Sequence, residues 1–302
     1  MIETQQYLSE MKMIQNTLLA FIENVGELSD NYDNDLETLL DEDNIRHHPH
    51  KIKSILYLIS KITNGHRRSC NLINKMEQII EKLRHRIKHY FNNRELFKIF
   101  ERNKRLLVFL FEKGFITIDK DIADFMTKDK CKEANYPHFF FPELKPFFDE
   151  STIDQISSEL PDDFQEKRKK GENEDYVCEL IRNDFIHEFV DYTKKNKLSL
   201  ETIIKPSIFE TNNYLIKNSA SLIEYAAFFG SVQIFKYIYS KLDKIKSKLW
   251  FYVIHGHSAE IIYFLRDNEF KVKHKDYPLY VKESVKCHHL EITNYIQENF
   301  ID

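Results

Sequence analysis

The chain has 302 residues, of which only 6 are glycine and 7 are proline. Hairpin turns depend on glycine, so this composition disfavours all-β and α/β folds. Charged residues make up 30% of the chain, the formal net charge is −4, and 24 phenylalanines with 16 tyrosines favour an all-α protein with an aromatic-rich core.

Several features predict where the protein resides. A helix needs about 20 apolar residues to cross a bilayer, whereas the longest apolar run, Leu106–Phe111, is far shorter. The N-terminus lacks the basic segment followed by a long apolar stretch that marks a signal peptide. The cysteines, at positions 70, 131, 178 and 287, show no paired spacing, which is typical of free thiols in a reducing compartment. The sequence therefore predicts a cytoplasmic protein without a membrane span.

Residues 1–92 are predicted to form an N-terminal helical region. Apolar residues recur at intervals of three and four between residues 4 and 24, in a helix opened by Pro49, and in a long helix from Cys70 to Phe91. The intervening residues 27–46 are strongly acidic, and whether they are ordered stays open. Residues 1–50 hold 11 acidic against 2 basic side chains, a balance of −9.

Residues 93–160 are predicted to form helical hairpins, either generic or ankyrin-like. Two short apolar helices, at 96–100 and 106–111, flank a polar turn, and Lys113–Gly114 is typical of a helix end. Prolines at 137, 142 and 146 then interrupt a dense aromatic cluster, which we interpret as a connector. The polar stretch 161–175 marks the start of a C-terminal region, residues 161–302.

The most informative stretch runs from Ser221 to Gly230. Ser221 and Glu224 have the spacing of a capping box, in which each side chain accepts a hydrogen bond from the other residue's backbone N–H. Ala226 and Ala227 are small, so a neighbouring helix pair can approach closely, and Gly230 ends the helix. A helical pair of this kind cannot bury its own apolar face, so similar pairs are expected beside it.

Two further copies appear when Gly230 is aligned with His257 and His288. The apolar residues of the second helix that then coincide are Ile234, Ile261 and Ile292. Residues 176–194 form a weaker copy. The spacing is somewhat shorter than the ankyrin period of about 33 residues, which indicates trimmed loops. The pattern favours an ankyrin-like helix-turn-helix solenoid capped by the N-terminal helices.

Five stretches carry a family resemblance: 103–114 (NKRLLVFLFEKG), 136–145 (YPHFFFPELK), 171–176 (GENEDY), 205–208 (KPSI) and 221–230 (SLIEYAAFFG). Through them the chain resembles, over about residues 50–298, the divergent ankyrin-repeat proteins expanded in trichomonad protists. The resemblance implies a helical repeat solenoid without known activity, and it supplies no catalytic residues. The Thr-Pro-Leu-His opening of the ankyrin consensus is missing in every unit, which leaves the repeat boundaries open.

No catalytic, cofactor or metal site is predicted. Phosphate-binding glycine loops and the common nucleophile or kinase signatures are absent. The densest histidine group, at positions 47, 48, 50 and 66, lacks the convergent spacing of metal ligands. Cys287 and His288 are adjacent, but adjacency in sequence does not give a nucleophile and base the geometry they need. The histidines at 255, 257, 288 and 289 fall on predicted turns, where they satisfy backbone groups.

The predicted function is non-catalytic binding of an unidentified protein partner through the repeat surface. The residues predicted to line this surface are Tyr225, Phe228, Phe229, Tyr252, His255 and His257. The alternative is binding of nucleic acid or another anionic surface by the basic stretch 82–105, which holds 9 basic against 2 acidic residues, a balance of +7. A solvated helix face paired with the acidic N-terminal region explains that stretch more simply. A hidden enzyme is the third interpretation, because a fold alone does not exclude catalysis.

Overall fold

The computed structural model describes residues 2–23, 36–38, 40, 48–66, 71–128, 131, 134–270, 272 and 274–299. Within these residues the protein is all-helical, which confirms the predicted class. The β-type pairing within these residues is one antiparallel bridge between Ile203 and Ser221. No helix of the described residues combines the length and apolar composition that a membrane crossing requires.

The chain divides into two compact units. The first comprises Met1–Thr63 and Ser69–Asp124, and the second comprises Asn64–Arg68 and Phe125–Asp302. The three-part division at residues 92/93 and 160/161 stays a prediction.

The described helices of the first unit range from 7 to 22 residues in length. They are α1 (Ile2–Glu23), α2 (Pro49–Gly65, whose last two residues belong to the second unit), α3 (Leu72–Lys82), α4 (Arg84–Tyr90), α5 (Asn93–Phe100), α6 (Lys104–Glu112) and α7 (Lys120–Met126, which ends in the second unit). Helix α3 contacts α1, α4 and α6. The prediction of one long helix from Cys70 to Phe91 is wrong in the described residues, because the ψ angle of 0° at buried Leu83 separates α3 from α4.

The predicted hairpin of short helices is present as α5 and α6. Asn92 and Glu95 form a capping box at the start of α5, and the Asn103 side chain accepts a hydrogen bond from the Leu106 N–H at the start of α6. Gly114, with φ of 66°, follows the end of α6. Local capping chemistry therefore fixes the starts of α5 and α6, and α6 ends beside Lys113–Gly114, where the sequence placed a helix end.

The second unit begins with the proline- and phenylalanine-rich segment. Its helices are α8 (Tyr136–Phe139), α9 (Phe141–Leu144), a 3₁₀ turn (Lys145–Phe147), α10 (Glu150–Glu159) and α11 (Phe164–Lys170). The Arg168 guanidinium lies 5.5 Å from the Phe139 ring and 5.6 Å from the Phe140 ring. It also donates to both carboxylate oxygens of Glu143, at 2.7 and 2.8 Å. The aromatic cluster thus packs around the buried Arg168, which pairs with the half-buried Glu143.

Four helical pairs follow. They are α12 (Tyr176–Arg182) with α13 (Ile186–Lys195), α15 (Leu222–Phe229) with α16 (Val232–Tyr239), α17 (Leu249–Gly256) with α18 (Ala259–Asp267), and α19 (Tyr277–Lys286) with α20 (Leu290–Asn299); the short α14 (Asn213–Lys217) precedes the second pair. The first helices contact one another in the order α12, α15, α17, α19, and among the second helices α13 contacts α16 and α16 contacts α18.

The turn inside each pair has the same backbone conformation. Asp184, Gly230, His257 and His288 separate the first helix from the second, and all four have positive φ, at 52°, 69°, 49° and 61°. We call these four residues the turn row. The left-handed conformation is common at a helix end, where it satisfies the last carbonyl groups. The alignment of Gly230 with His257 and His288 therefore corresponds to one repeated structural position.

Candidate functional site in the helix turns

The residues predicted to shape the repeat lie where the sequence placed them. The Ser221 N–H donates to the Glu224 carboxylate at 2.8 Å, and the buried Glu224 also pairs with Lys248 at 3.0 Å. Ala226 and Ala227 are fully buried between helices. Gly230 adopts the left-handed conformation that favours glycine.

Four of the six predicted protein-binding residues are interior. Tyr225, Phe228, Tyr252 and His255 are all buried, whereas Phe229 and His257 are half-buried. The buried hydroxyls have partners: Arg182 donates to the Tyr225 hydroxyl at 2.8 Å, and the Tyr252 hydroxyl donates to the Ser219 carbonyl at 3.1 Å. These side chains fill the space between successive helical pairs.

The buried residue that matters most for chemistry is His255, in the last turn of α17. Its Nδ1 lies 3.4 Å from Cys287 Sγ, and its Nε2 lies 3.2 Å from Glu283 Oε1 and 3.7 Å from the same sulfur. Glu283 and Cys287 are four residues apart on α19, so they share one helix face. Because α17 and α19 are neighbours, that face meets His255. We call these three residues the His–Glu–Cys cluster.

The cluster is enclosed. The Tyr214 ring centroid lies 4.0 Å from that of His255, and the Phe228 ring lies 5.4 Å away. Burial raises the pKa of the Cys287 thiol, and the Glu283 charge raises it further. Burial alone would raise the pKa of Glu283, but hydrogen bonds from His255 and Lys286 outweigh it and lower that pKa. The thiol is therefore protonated and the carboxylate is ionised.

This arrangement is unsuited to nucleophilic catalysis. A reactive cysteine needs a lowered thiol pKa and access for a substrate, whereas Cys287 is fully buried and its pKa is raised. Cys287 faces His255 on the neighbouring pair, and its chain neighbour His288 occupies the turn row.

A second histidine group borders the cluster. The His289 ring stacks on that of His257 at 4.1 Å and lies 4.9 Å from that of His66. His289 is buried, and neither ring nitrogen has a hydrogen-bond partner among the described residues. Burial, together with the charges of His257 and His66, lowers its pKa to about 2. His257 Nε2 contacts Glu291 at 2.5 Å. The turns of the last two pairs thus concentrate imidazoles.

The histidines at 47, 48, 50 and 66 form the densest histidine group of the sequence. His47 lies outside the described residues, and the His48 and His50 rings are 5.2 Å apart, while His66 contacts His289. Sequence reasoning missed the His–Glu–Cys cluster, although one signal was present. Glu283 and Cys287 have the four-residue spacing of a shared helix face, and His255 lies about one repeat earlier in the chain.

The basic stretch 82–105 is largely engaged within its own unit. Lys82 pairs with Glu37 at 2.7 Å, and Arg86 donates to the Leu40 carbonyl. Arg84 pairs with Glu81 at 2.6 Å and lies over the Phe115 ring, and Lys104 is buried. These contacts include the pairing with the acidic N-terminal region that the sequence suggested as the simpler interpretation. Cys178 and Cys287 are free thiols, and both are buried, as is Cys131. Cys70 lies outside the described residues.

Comparisons of the chain with protein-family models, curated proteins and solved structures gave no significant match. The resemblance to trichomonad ankyrin-repeat proteins therefore stays an expectation from the sequence.

Proposed function

We propose that the C-terminal helical pairs form an ankyrin-like solenoid, and that the protein is a non-catalytic module that binds another protein. The observation that carries the proposal is the order of contacts: each first helix packs on the first helix of the next pair, with a left-handed residue at every turn. Stacked pairs of this kind present one continuous face, which is the usual binding surface of repeat proteins.

Exposed side chains recur at the N-terminal end of the first helices. Tyr176 opens α12 and is 51% exposed, and Leu279 in the first turn of α19 is also 51% exposed. Ile203, which is 62% exposed, bridges to the N-cap residue of α15, and the N-cap residue of α17 is the exposed Lys248. We call Tyr176, Ile203, Lys248 and Leu279 the first-helix edge. Apolar anchors beside a charged group are typical of binding hot spots and their rims.

The charge near this edge indicates the chemistry of the partner. The loop before α17 holds four exposed lysines against the single Asp243. The lysines of this loop are Lys241, Lys244, Lys246 and Lys248. A partner surface with acidic residues around an apolar patch would complement this edge and associate faster at low salt.

The proposal is tested by affinity capture from the native cell extract with full-length protein, with and without nuclease and at low and moderate salt. The edge variant combines Tyr176→Ala, Ile203→Ala and Leu279→Ala. The matched control combines Tyr263→Ala and Leu290→Ala, which remove exposed apolar side chains of similar size from the second helices. Both variants must first show wild-type circular dichroism and unfolding.

We expect a small set of proteins that survives nuclease treatment, binds the control and is lost from the edge variant. Equal capture by both variants would place binding elsewhere. Recovery that collapses with nuclease would move the function to the basic stretch 82–105, and a steep decline with salt alone would point to a mainly electrostatic surface. A parallel Phe229→Ala variant tests the half-buried turn residue that the sequence predicted to bind.

A further inference from the structure

We propose that His255, Glu283 and Cys287 form a binding site for a divalent transition metal, with Zn²⁺ as the ion that the donor set favours. The site requires only the contact between α17 and α19, so it is independent of whether the protein binds a partner. It would make the metal a cross-link between the third and fourth helical pairs.

Two distances between the donor atoms are close to those of a tetrahedral centre. The His255 ring must turn to complete the centre, because Cys287 Sγ lies nearer to Nδ1, at 3.4 Å, than to Nε2, at 3.7 Å. Zinc bonds of about 2.3 Å to sulfur and about 2.0–2.2 Å to nitrogen and oxygen, at tetrahedral angles, place ligand atoms about 3.6 Å apart for S···N and about 3.4 Å apart for N···O. In the protein, Cys287 Sγ lies 3.7 Å from His255 Nε2, and that nitrogen lies 3.2 Å from Glu283 Oε1. All three donor atoms lie within 4.8 Å of one another.

The donor types narrow the choice of ion. One thiolate, one imidazole and one carboxylate suit Zn²⁺, whereas Ca²⁺ and Mg²⁺ are bound by oxygen ligands. Cys287 and His255 are buried and Glu283 is half-buried, and a closed environment is typical of structural zinc sites. Burial disfavours a nucleophilic thiol but is compatible with a structural ligand.

A second observation points to a ligand in this region. His289, two residues beyond Cys287, is buried, and both of its ring nitrogens lack hydrogen-bond partners among the described residues. An imidazole buried in this way is unfavourable unless it gains a partner. Water or the His289 imidazole would supply the fourth ligand.

Metal binding has a defined proton balance. The Cys287 S–H bond breaks, the sulfur lone pair forms the metal bond, and one proton passes to solvent. Glu283 binds as its carboxylate. Binding through Nε2 replaces the His255–Glu283 hydrogen bond and leaves the His255 ring proton on Nδ1. One proton is therefore released per bound ion, apart from protons exchanged with the buffer.

The experiment uses full-length protein stripped with a chelator and titrated with Zn²⁺ alone, by calorimetry in two buffers of different ionisation enthalpy, and with Co²⁺ by absorption spectroscopy. We expect one ion per chain, release of one proton, a thiolate-to-Co²⁺ charge-transfer band, and a higher midpoint of thermal unfolding. Cys287→Ala and Glu283→Gln should weaken binding by roughly 100-fold or more, since even residues that only support ligands commonly contribute 10- to 100-fold.

Cys178→Ala is the matched control, because Cys178 is an equally buried cysteine of the first helical pair. Circular dichroism of each variant establishes that it is folded. If Cys287→Ala does not fold, the proposal is tested with Glu283→Gln, because Glu283 is only half-buried. Binding of no ion, binding unchanged in Cys287→Ala or in Glu283→Gln, or a Co²⁺ spectrum without a thiolate band would overturn the proposal.

Discussion

Gly256 lies directly against the backbone of Ala227. A Cβ atom built on Gly256 would stand 1.9 Å from the Ala227 carbonyl oxygen and 3.1 Å from that of Phe228. The first helices of the second and third pairs, α15 and α17, therefore approach through backbone atoms at this point. A shift of either helix would disturb the core on both sides, because both are buried on nearly all faces.

Gly256→Ala should destabilise the protein by about 3 kcal/mol or more, the upper end for overpacking. A loss of stability would indicate the close contact, because replacing glycine with alanine in an exposed helix stabilises it by about 1 kcal/mol. Urea unfolding measures the change. Gly114→Ala is the control: this glycine has φ of 66° but no neighbour within 4 Å of the added Cβ, so we expect a loss of only about 1 kcal/mol. Equal losses in the two variants would argue against the close helix contact.

Asp184 connects the first two helical pairs. Its carboxylate accepts hydrogen bonds from the N–H groups of Gln233 and Ile234, at 3.0 and 2.9 Å, and so caps α16. Asp184→Ala should lower the free energy of unfolding by about 1–2 kcal/mol through loss of the cap, with a further penalty for the left-handed backbone. Asp184→Gly removes the cap without that penalty, so its loss should be smaller. If Asp184→Gly destabilised the protein more than Asp184→Ala, the cost of Asp184→Ala would not include a penalty for the left-handed backbone.

An exposed residue with left-handed backbone lies two positions beyond the end of α13 and of α18. Lys197 and Glu269 have φ of 51° and 50°, and both side chains are exposed. Replacing either with glycine should stabilise the protein by about 0.5–1 kcal/mol, because glycine adopts this conformation without a Cβ clash. Thermal unfolding of the single and double variants tests this, and the two gains should add. His257→Gly should gain less, since it also removes the contact with Glu291.

The protein should lose stability in alkaline solution. Burial, reinforced by the Glu210 charge, raises the pKa of Tyr225 well above the ordinary value of 10.0. The unfolded chain therefore releases this proton at a lower pH than the folded chain does. The contribution of protonated Tyr225 to the free energy of unfolding is fully present below pH 10. Above pH 10 the free energy of unfolding falls by up to about 1.4 kcal/mol per pH unit. Tyr225→Phe should flatten the decline in urea unfolding above pH 10; an unchanged slope would show that Tyr225 does not cause it.

Local chemistry explains what the sequence could predict. The capping box at Ser221 and Glu224, the stop at Gly230 and the caps of the α5–α6 hairpin each depend on residues a few positions apart. The alignment placed His257 and His288 at the position of Gly230, and all three residues have positive φ. The break at Leu83 has no glycine or proline to signal it, and the His–Glu–Cys cluster depends on packing between helices far apart in sequence.

The burial of Tyr225, Phe228, Tyr252 and His255 did have a signal in the sequence. Helices α15 and α17 are apolar on almost every side, and a helix of that kind lies between other elements rather than at a surface. The repeat pattern alone predicts that these side chains lie on an exposed face. Their environment depends on a neighbour on each side, which the sequence of a single repeat does not specify.

The contacts of Asp184 have a consequence for how the domain can be cut. In the reverse direction, the Ser231 hydroxyl donates to the Ile181 carbonyl at the end of α12, so each of these two pairs completes the helix termini of the other. A truncation placed between the two pairs would leave helix-terminal backbone groups without hydrogen-bond partners on both fragments, even though every helix would be intact. The natural unit for shortening or grafting this domain is therefore a pair together with the turn of its neighbour.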